Sequence, residues 1–238
     1  MFTWTEQSLA WYARAAERSS FHRDLARACL ACTDPQDVKD VAEFGCGPGF
    51  LALELARASH LRITGLDQDA RCTVFAQRKL APQCTHLSFE HRDVFALPED
   101  RVWDVVLACS FGSAEDLCTH FVRHAKNCVL FLVRSRQEAP LVPSQRARKR
   151  TYAEDVEAFL RQRGISFAHV PLELEFGQPL TDREDARAFV RHYYSIACLD
   201  DEHSVEAFLD ARLVSGKNGL YLPHKKHMVL FCLPCRHN

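Results

Sequence analysis

Long apolar runs are missing from this chain of 238 residues. The longest, Val129 to Val133 and Met228 to Leu233, are of strand length, whereas a helix needs about 20 apolar residues to cross a bilayer. No membrane partner is expected. Met1-Phe2-Thr3-Trp4-Thr5-Glu6 also lacks the charged-then-apolar layout of a secretory leader, so the expected compartment is the cytoplasm. A surplus of either charge is absent as well: 30 Lys and Arg face 31 Asp and Glu, a net charge of −1. Proteins whose main task is gripping nucleic acid usually carry a basic excess, which disfavours nucleic acid as a partner. Internal repeats and low-complexity segments are missing too.

Cysteine, by contrast, is plentiful. Most of the eleven sit inside apolar stretches (Cys72, Cys109, Cys128, Cys198, Cys232), where thiols in a reducing compartment behave as small buried hydrophobes. Cys29-Leu30-Ala31-Cys32 and Cys232-Leu233-Pro234-Cys235 have the spacing of zinc knuckles. The first pair falls within an apolar helical pattern and Cys232 within a strand, so no metal site is expected.

At 47% hydrophobic and 26% charged, the chain can bury one large α/β core or two small ones. Thr3 with Glu6 reads as a capping box, followed by Leu9, Tyr12, Ala13 and Ala16 at helical spacing. A second helix reads from Phe21 to about Cys32. Residues 1–35 are expected as a helical cap. Strands are then predicted at about 38–44, 61–66, 87–91, 102–108 and 127–133, alternating with helices at 50–58, 70–79 and 114–124. That order implies a parallel sheet with crossover helices, whose strand ends bind ligands. In the last third, a helix from Thr151 to about Gln162, an alternating strand at 170–176, helices at about 181–193 and 204–213, and a final strand at 228–233 suggest a helical insertion before antiparallel closure. Thr181 with Glu184 reads as the cap of the long late helix. The fold class expected is α/β, a doubly wound, mostly parallel seven-stranded sheet with an antiparallel C-terminal strand. One domain is expected, with a cofactor-binding core at 36–134 and an acceptor-side part at 135–238.

The most informative passage is Glu43-Phe44-Gly45-Cys46-Gly47-Pro48-Gly49. An acid closes an apolar strand, three glycines stand at alternate positions, and a helix opens directly afterwards. Such a turn brings backbone N–H groups close to a bound molecule. Dinucleotide enzymes need glycines at positions one, three and six of this loop; here they occupy one, three and five, and the sixth is Phe50. Asp67, about twenty residues on, ends the second strand, where a carboxylate can accept ribose hydroxyls. The sequence resembles the class I S-adenosylmethionine-dependent methyltransferases, whose first motif is Glu/Asp-x-Gly-x-Gly-x-Gly. The resemblance extends over roughly residues 38–134. It implies S-adenosyl-L-methionine as cofactor and Glu43, Gly45, Cys46, Gly47, Gly49, Asp67 and Gln68 as its contacts. It further implies Asp93 for the adenine amino group, Val94 against the ring, and Ser110 on the methionine and acceptor side.

Methyl transfer from a sulfonium is an in-line displacement on an activated carbon, so alignment dominates and an acid–base pair is optional. The Asn/Asp-Pro-Pro-Tyr/Phe motif of adenine and glutamine methyltransferases is replaced by Ala108-Cys109-Ser110-Phe111, and Cys109 lacks the proline of cytosine C5 enzymes. A small-molecule acceptor is favoured. Arg134, Arg136, Arg146, Arg148, Lys149 and Arg150 crowd one stretch with a single acid, Glu138; lining a pocket, they would suit an anionic acceptor. Tyr12, His22 and Tyr193 are candidate acceptor-side groups, with His22 or Tyr193 the candidate base. An RNA or protein acceptor using the basic loop, or a cofactor-binding module without turnover, remains as an alternative.

Overall fold

The computed structural model describes residues 4–34, 36–137, 151–193, 202–216 and 219–235. Two helices come first, α1 (Glu6–Arg18) and α2 (Phe21–Ala31). The chain then alternates through β1 (Asp40–Phe44), α3 (Phe50–Ala58), β2 (Arg62–Asp67), α4 (Ala70–Lys79), β3 (Leu87–His91), β4 (Trp103–Cys109), α5 (Ala114–Thr119) and β5 (Ala125–Arg134). After these come α6 (Ala153–Gln162), β6 (Ala168–Glu175), β7 (Gln178–Leu180), α7 (Arg183–Tyr193), α8 (Glu202–Arg212), β8 (Val214–Gly216), β9 (Gly219–Leu222) and β10 (Lys225–Pro234). No helix among the described residues is long and apolar enough to cross a membrane.

The seven-stranded sheet has the order β3-β2-β1-β4-β5-β10-β6. β1 to β5 pair in parallel, and β10 is antiparallel to both β5 and β6. The α/β class, the parallel core and the antiparallel last strand are therefore as expected. Strand order reverses between β1 and β4, and that switch point opens a crevice at the carboxyl ends of the strands.

Successive side chains of a strand face opposite sides, and here both sides are covered. Val41, Val105, Leu107, Leu130 and Leu230 face a core shared with α2 and α3, while Ala42, Phe44, Val106, Phe131 and Phe231 face the core under α5 and α6. Double coverage is why these strands read as nearly continuous apolar runs. Phe44, Phe121, Phe131 and Phe231 are fully buried, and truncating one such ring costs about 3–5 kcal/mol. β6 is an edge strand, mostly exposed, and tolerates Pro171 there.

Four expectations are corrected. Thr3 lies outside the described residues; the N-cap of α1 is Thr5, whose hydroxyl accepts the N–H of Ser8 while Ser8 Oγ accepts the N–H of Thr5. Residues 1–35 do not form a cap throughout. Leu25, Ala26 and Cys29 of α2 are buried against α3 and the sheet, because that apolar face is too wide to leave over a solvent-filled crevice. Only α1 and the start of α2 reach the carboxyl edge. The late insertion is not purely helical: β7, β9 and β8 form a small antiparallel sheet, whose three- and four-residue strands are too short to show a period. Its first helix is capped by Asp182, which accepts the N–H of Asp185, rather than by Thr181.

Candidate active site

Phe44 ends β1 in the core, and Gly45, Gly47 and Gly49 all take positive φ (67°, 53° and 86°). The N–H groups of Gly45 and Cys46 both donate to Leu66 O (2.8 and 3.0 Å), which ties the loop to β2. Gly49 then heads α3, its carbonyl accepting the N–H of Leu53. A Cβ on Gly49 would overlap the Phe89 ring, whereas one on Gly47 would meet only Trp4, at 3.7 Å. Gly47 therefore has room for no more than a methyl group below the Trp4 ring, in a left-handed conformation that side chains disfavour.

Asp67 stands at the end of β2, half-buried. Its carboxylate accepts Gly47 N–H (2.7 Å) and Asp69 N–H (2.8 Å). It thus shapes the loop as well as facing it, a link the sequence did not disclose. Gln68 is exposed beside it, its carbonyl 3.0 Å from His91 Nε2. Asp93 is exposed and caps a short turn by accepting Phe95 N–H at 3.0 Å; Val94 behind it is buried, and its carbonyl lies 2.8 Å from His120 Nε2. Ser110 follows β4 with φ of 54°, the one non-glycine with positive φ among the described residues. Strained residues of this kind cluster at functional positions. Phe111 packs over Gly45 and stacks on Phe121.

Glu43, one residue before the end of β1, is buried, and its Oε2 has no hydrogen-bond partner. Burial pushes its carboxyl up to about 8, against a backbone hydrogen bond from Ala52 and with help from the Asp67 charge. Burial thus keeps this carboxyl protonated near neutral pH, with one oxygen left without a hydrogen-bond partner.

Residues 41–129 match the family model described as a methyltransferase domain. The solved structures with the same fold extend beyond that stretch, at low identity. A putative methyltransferase from Bacillus halodurans C-125 shares the fold at a TM-score of 0.59 and 11% identity, covering 90% of this chain and 99% of its own. Magnesium protoporphyrin IX methyltransferase from Synechocystis PCC 6803, solved with bound SAH, aligns at 0.52 and 14%, covering 98% and 89%. Geranyl diphosphate C-methyltransferase from Streptomyces coelicolor A3(2), solved with Mg2+, geranyl diphosphate and S-adenosyl-L-homocysteine, aligns at 0.50 and 13%, covering 89% and 78%. No curated protein matches the sequence. The side-chain-free turn at Gly47 and the Asp67 carboxylate fit a ligand that carries a ribose.

Near the carboxyl edge, α1 and the start of α2 bring Tyr12 and His22 together, Tyr12 Oη lying 2.8 Å from His22 Nε2. His22 is buried with Nδ1 unpartnered, and burial together with the Lys226 charge lowers its imidazole to about 3. Burial, and then the charges of Cys109 and Glu43, raise the Tyr12 phenol well above its ordinary value. Tyr193 lies apart: its hydroxyl donates to Ser8 O at 3.4 Å, and its ring packs by Trp11 and Phe189. Arg134 ends β5 opposite Met228. Arg136 is drawn to α6, pairing with Asp155 at 2.6 Å and lying over the Tyr152 ring at 4.3 Å. Arg146, Arg148, Lys149 and Arg150 lie outside the described residues.

Burial pushes the Cys109 thiol up to about 12, which suits a strand thiol and not a nucleophile. Cys32 and Cys232 meet in space, Cys232 Sγ lying 3.9 Å from Cys32 O. No group of His, Cys, Asp and Glu among the described residues is arranged to hold a metal.

The sequence reading missed Trp4, Phe176 and Lys226. Trp4 approaches Gly47, and its ring meets Tyr12 edge-on at 5.3 Å. Phe176 packs against Tyr12, Phe21 and His22. A signal for Lys226 existed: an antiparallel last strand must begin at the carboxyl edge of its parallel neighbours, so the residues opening it face the crevice.

Proposed function

We propose that the protein transfers the S-adenosylmethionine methyl group to a small molecule, anionic in character, by in-line displacement. The observation that carries the cofactor half is the Gly47 turn, left-handed and joined to Asp67. Asp67 would receive the ribose hydroxyls with the lone pairs left free by Gly47 and Asp69. Asp93 would accept from the adenine amino group, with Val94 and Gln68 beside the base and ribose. Gly45, Cys46, Gly49 and Ser110 would shape the methionine end, with Glu43 buried beneath the loop. The bound cofactor supplies an activated methyl group. The chain's own task is then to align an acceptor and exclude water.

A small acceptor is supported by the roof over the crevice. α1 is held onto the late insertion by Trp11 and Arg14, which both donate to Asp185, and so covers that edge of the sheet. Arg136, engaged with α6, gives the RNA and protein alternatives no support.

S-adenosylhomocysteine at about a hundred times its dissociation constant should stabilise the fold by roughly 2.7 kcal/mol. Asp67→Ala should abolish most of that response; an undiminished shift would reject the ribose role. Acceptors are then screened by release of S-adenosylhomocysteine.

A further inference from the structure

One side of the Gly47 turn is closed in this structure. A Cβ on Gly47 would meet the Trp4 ring at 3.7 Å, so the indole leaves room there for a methyl group and not for a ligand. Yet the N–H of this turn is held by Asp67, the acid proposed to receive the ribose. Before a cofactor can reach that side of the turn, either the turn or Trp4 must move.

The turn is the fixed partner. Gly45 and Cys46 are tied to Leu66 O, Gly49 N–H donates to Cys46 O at 3.0 Å, and Phe111 and Phe89 pack against Gly45 and Gly49. Trp4 is placed differently. It is half-buried and stands one residue ahead of Thr5, the N-cap that fixes where α1 begins. From Ser8 onward α1 is anchored: Ser8 is buried with the Tyr193 hydroxyl on its carbonyl, and Trp11 and Arg14 are held by Asp185. The helix thus carries Trp4 to the turn, where the Trp4 N–H bonds to the Asp69 carboxylate and the ring meets Tyr12 edge-on at 5.3 Å. Asp69 in turn donates its own N–H to Asp67, which also holds Gly47. A chain of bonds therefore joins Trp4, the ribose acid and the turn.

We propose that Trp4 is the gate of the cofactor site. Its indole shuts one side of the Gly47 turn, swings aside to admit S-adenosylmethionine, and closes again to keep water from the methyl donor. The hinge is the junction at Thr5, whose backbone is extended (φ −114°, ψ 163°) and whose capping box with Ser8 does not use Trp4, so α1 need not unwind. A gate of this kind slows entry and exit alike, because each waits on the open fraction. The inference rests on the cofactor reading above and adds what controls exchange at that site.

S-adenosylhomocysteine is the probe, on the full chain. The chain has three tryptophans, and Trp11 and Trp103 are buried in the core. A change in tryptophan emission on binding is therefore expected to come from Trp4 and to vanish in Trp4→Phe. Release is timed with tritiated S-adenosylhomocysteine chased by unlabelled compound. Trp4→Ala should release the label faster by about tenfold or more, with little change in the thermal midpoint of the unliganded chain. Trp4→Phe, which keeps an aromatic cover, should restore slow release. Release from Trp4→Ala at the wild-type rate would overturn the gate and leave the cofactor reading standing, as would an emission change that persists in Trp4→Phe. Failure of the wild-type chain to bind S-adenosylhomocysteine overturns the cofactor reading, and the gate with it.

Discussion

Glu43 shows how one residue couples burial to function. Its carboxyl is pushed up to about 8, chiefly by burial, while an unfolded chain titrates it near about 4.3. Between those values the fold holds a proton that the unfolded chain has released, so its contribution is full at low pH and is lost as pH rises through about 8. His22 works the other way. Lowered to about 3 by burial and then by Lys226, it stays neutral in the fold, and its contribution is lost only as pH falls below about 6.5. Of these two groups, Glu43 alone sets the slope from about 6.5 to 8. Glu43→Gln should therefore exceed wild type in stability at pH 8, by a margin that shrinks toward pH 5 and changes by at most about 1.4 kcal/mol per pH unit. Urea midpoints without cofactor measure this, and parallel pH curves for the two proteins would refute a buried neutral carboxyl. The loop glycines divide similarly. Gly47→Ala fits its methyl group below the Trp4 ring and costs only the left-handed strain, about 1–2 kcal/mol, so it should fold yet lose the response to S-adenosylhomocysteine. Gly49→Ala must also displace Phe89, so its thermal midpoint should fall further than that of Gly47→Ala.

Among the elements, α1 is the one whose position depends most on distant sequence. Trp11 Nε1 and Arg14 both donate to Asp185 of α7, at 2.7 and 2.8 Å, and Gln178 Nε2 donates to Trp11 O at 3.1 Å. The Trp11 ring sits edge-on to Phe189 at 5.3 Å within a core built by the insertion. That clasp holds Trp4 over the glycine loop and Tyr12 against His22. Asp185→Ala removes charge-assisted bonds worth about 1.5–3 kcal/mol each at most, and it should free α1 before the sheet. Faster amide exchange in α1 with unchanged exchange in β1, β4 and β5 would bear this out. Uniform acceleration across the sheet would show instead that α1 is integral to the core. Helical period made α1 legible, and Trp11 and Tyr12 were visible as aromatics. The partner of Trp11 was not, because Asp185 lies 174 residues away and no local pattern encodes such a pairing.

For the whole molecule, a net charge of −1 leaves no long-range field to attract a polyanion. RNA binding should be weak at physiological salt, and charge-neutralising changes at Arg146, Arg148 and Arg150 should leave it weak; filter binding across a salt series measures both. A steep salt slope that collapses in those variants would revive the RNA acceptor. What the sequence determined by itself is the strand–helix alternation, the antiparallel last strand and the ligand loop. These are local: apolar runs, turn residues and glycine spacing act within a few positions of one another. Tertiary structure alone decided which groups meet at the carboxyl edge. Tyr12, His22, Phe176 and Lys226 come from both ends and the middle of the chain. Only the reversed course of β10 beside β5 and the docking of α1 bring them to one edge, because sheet register and helix packing are set by contacts between segments far apart in sequence.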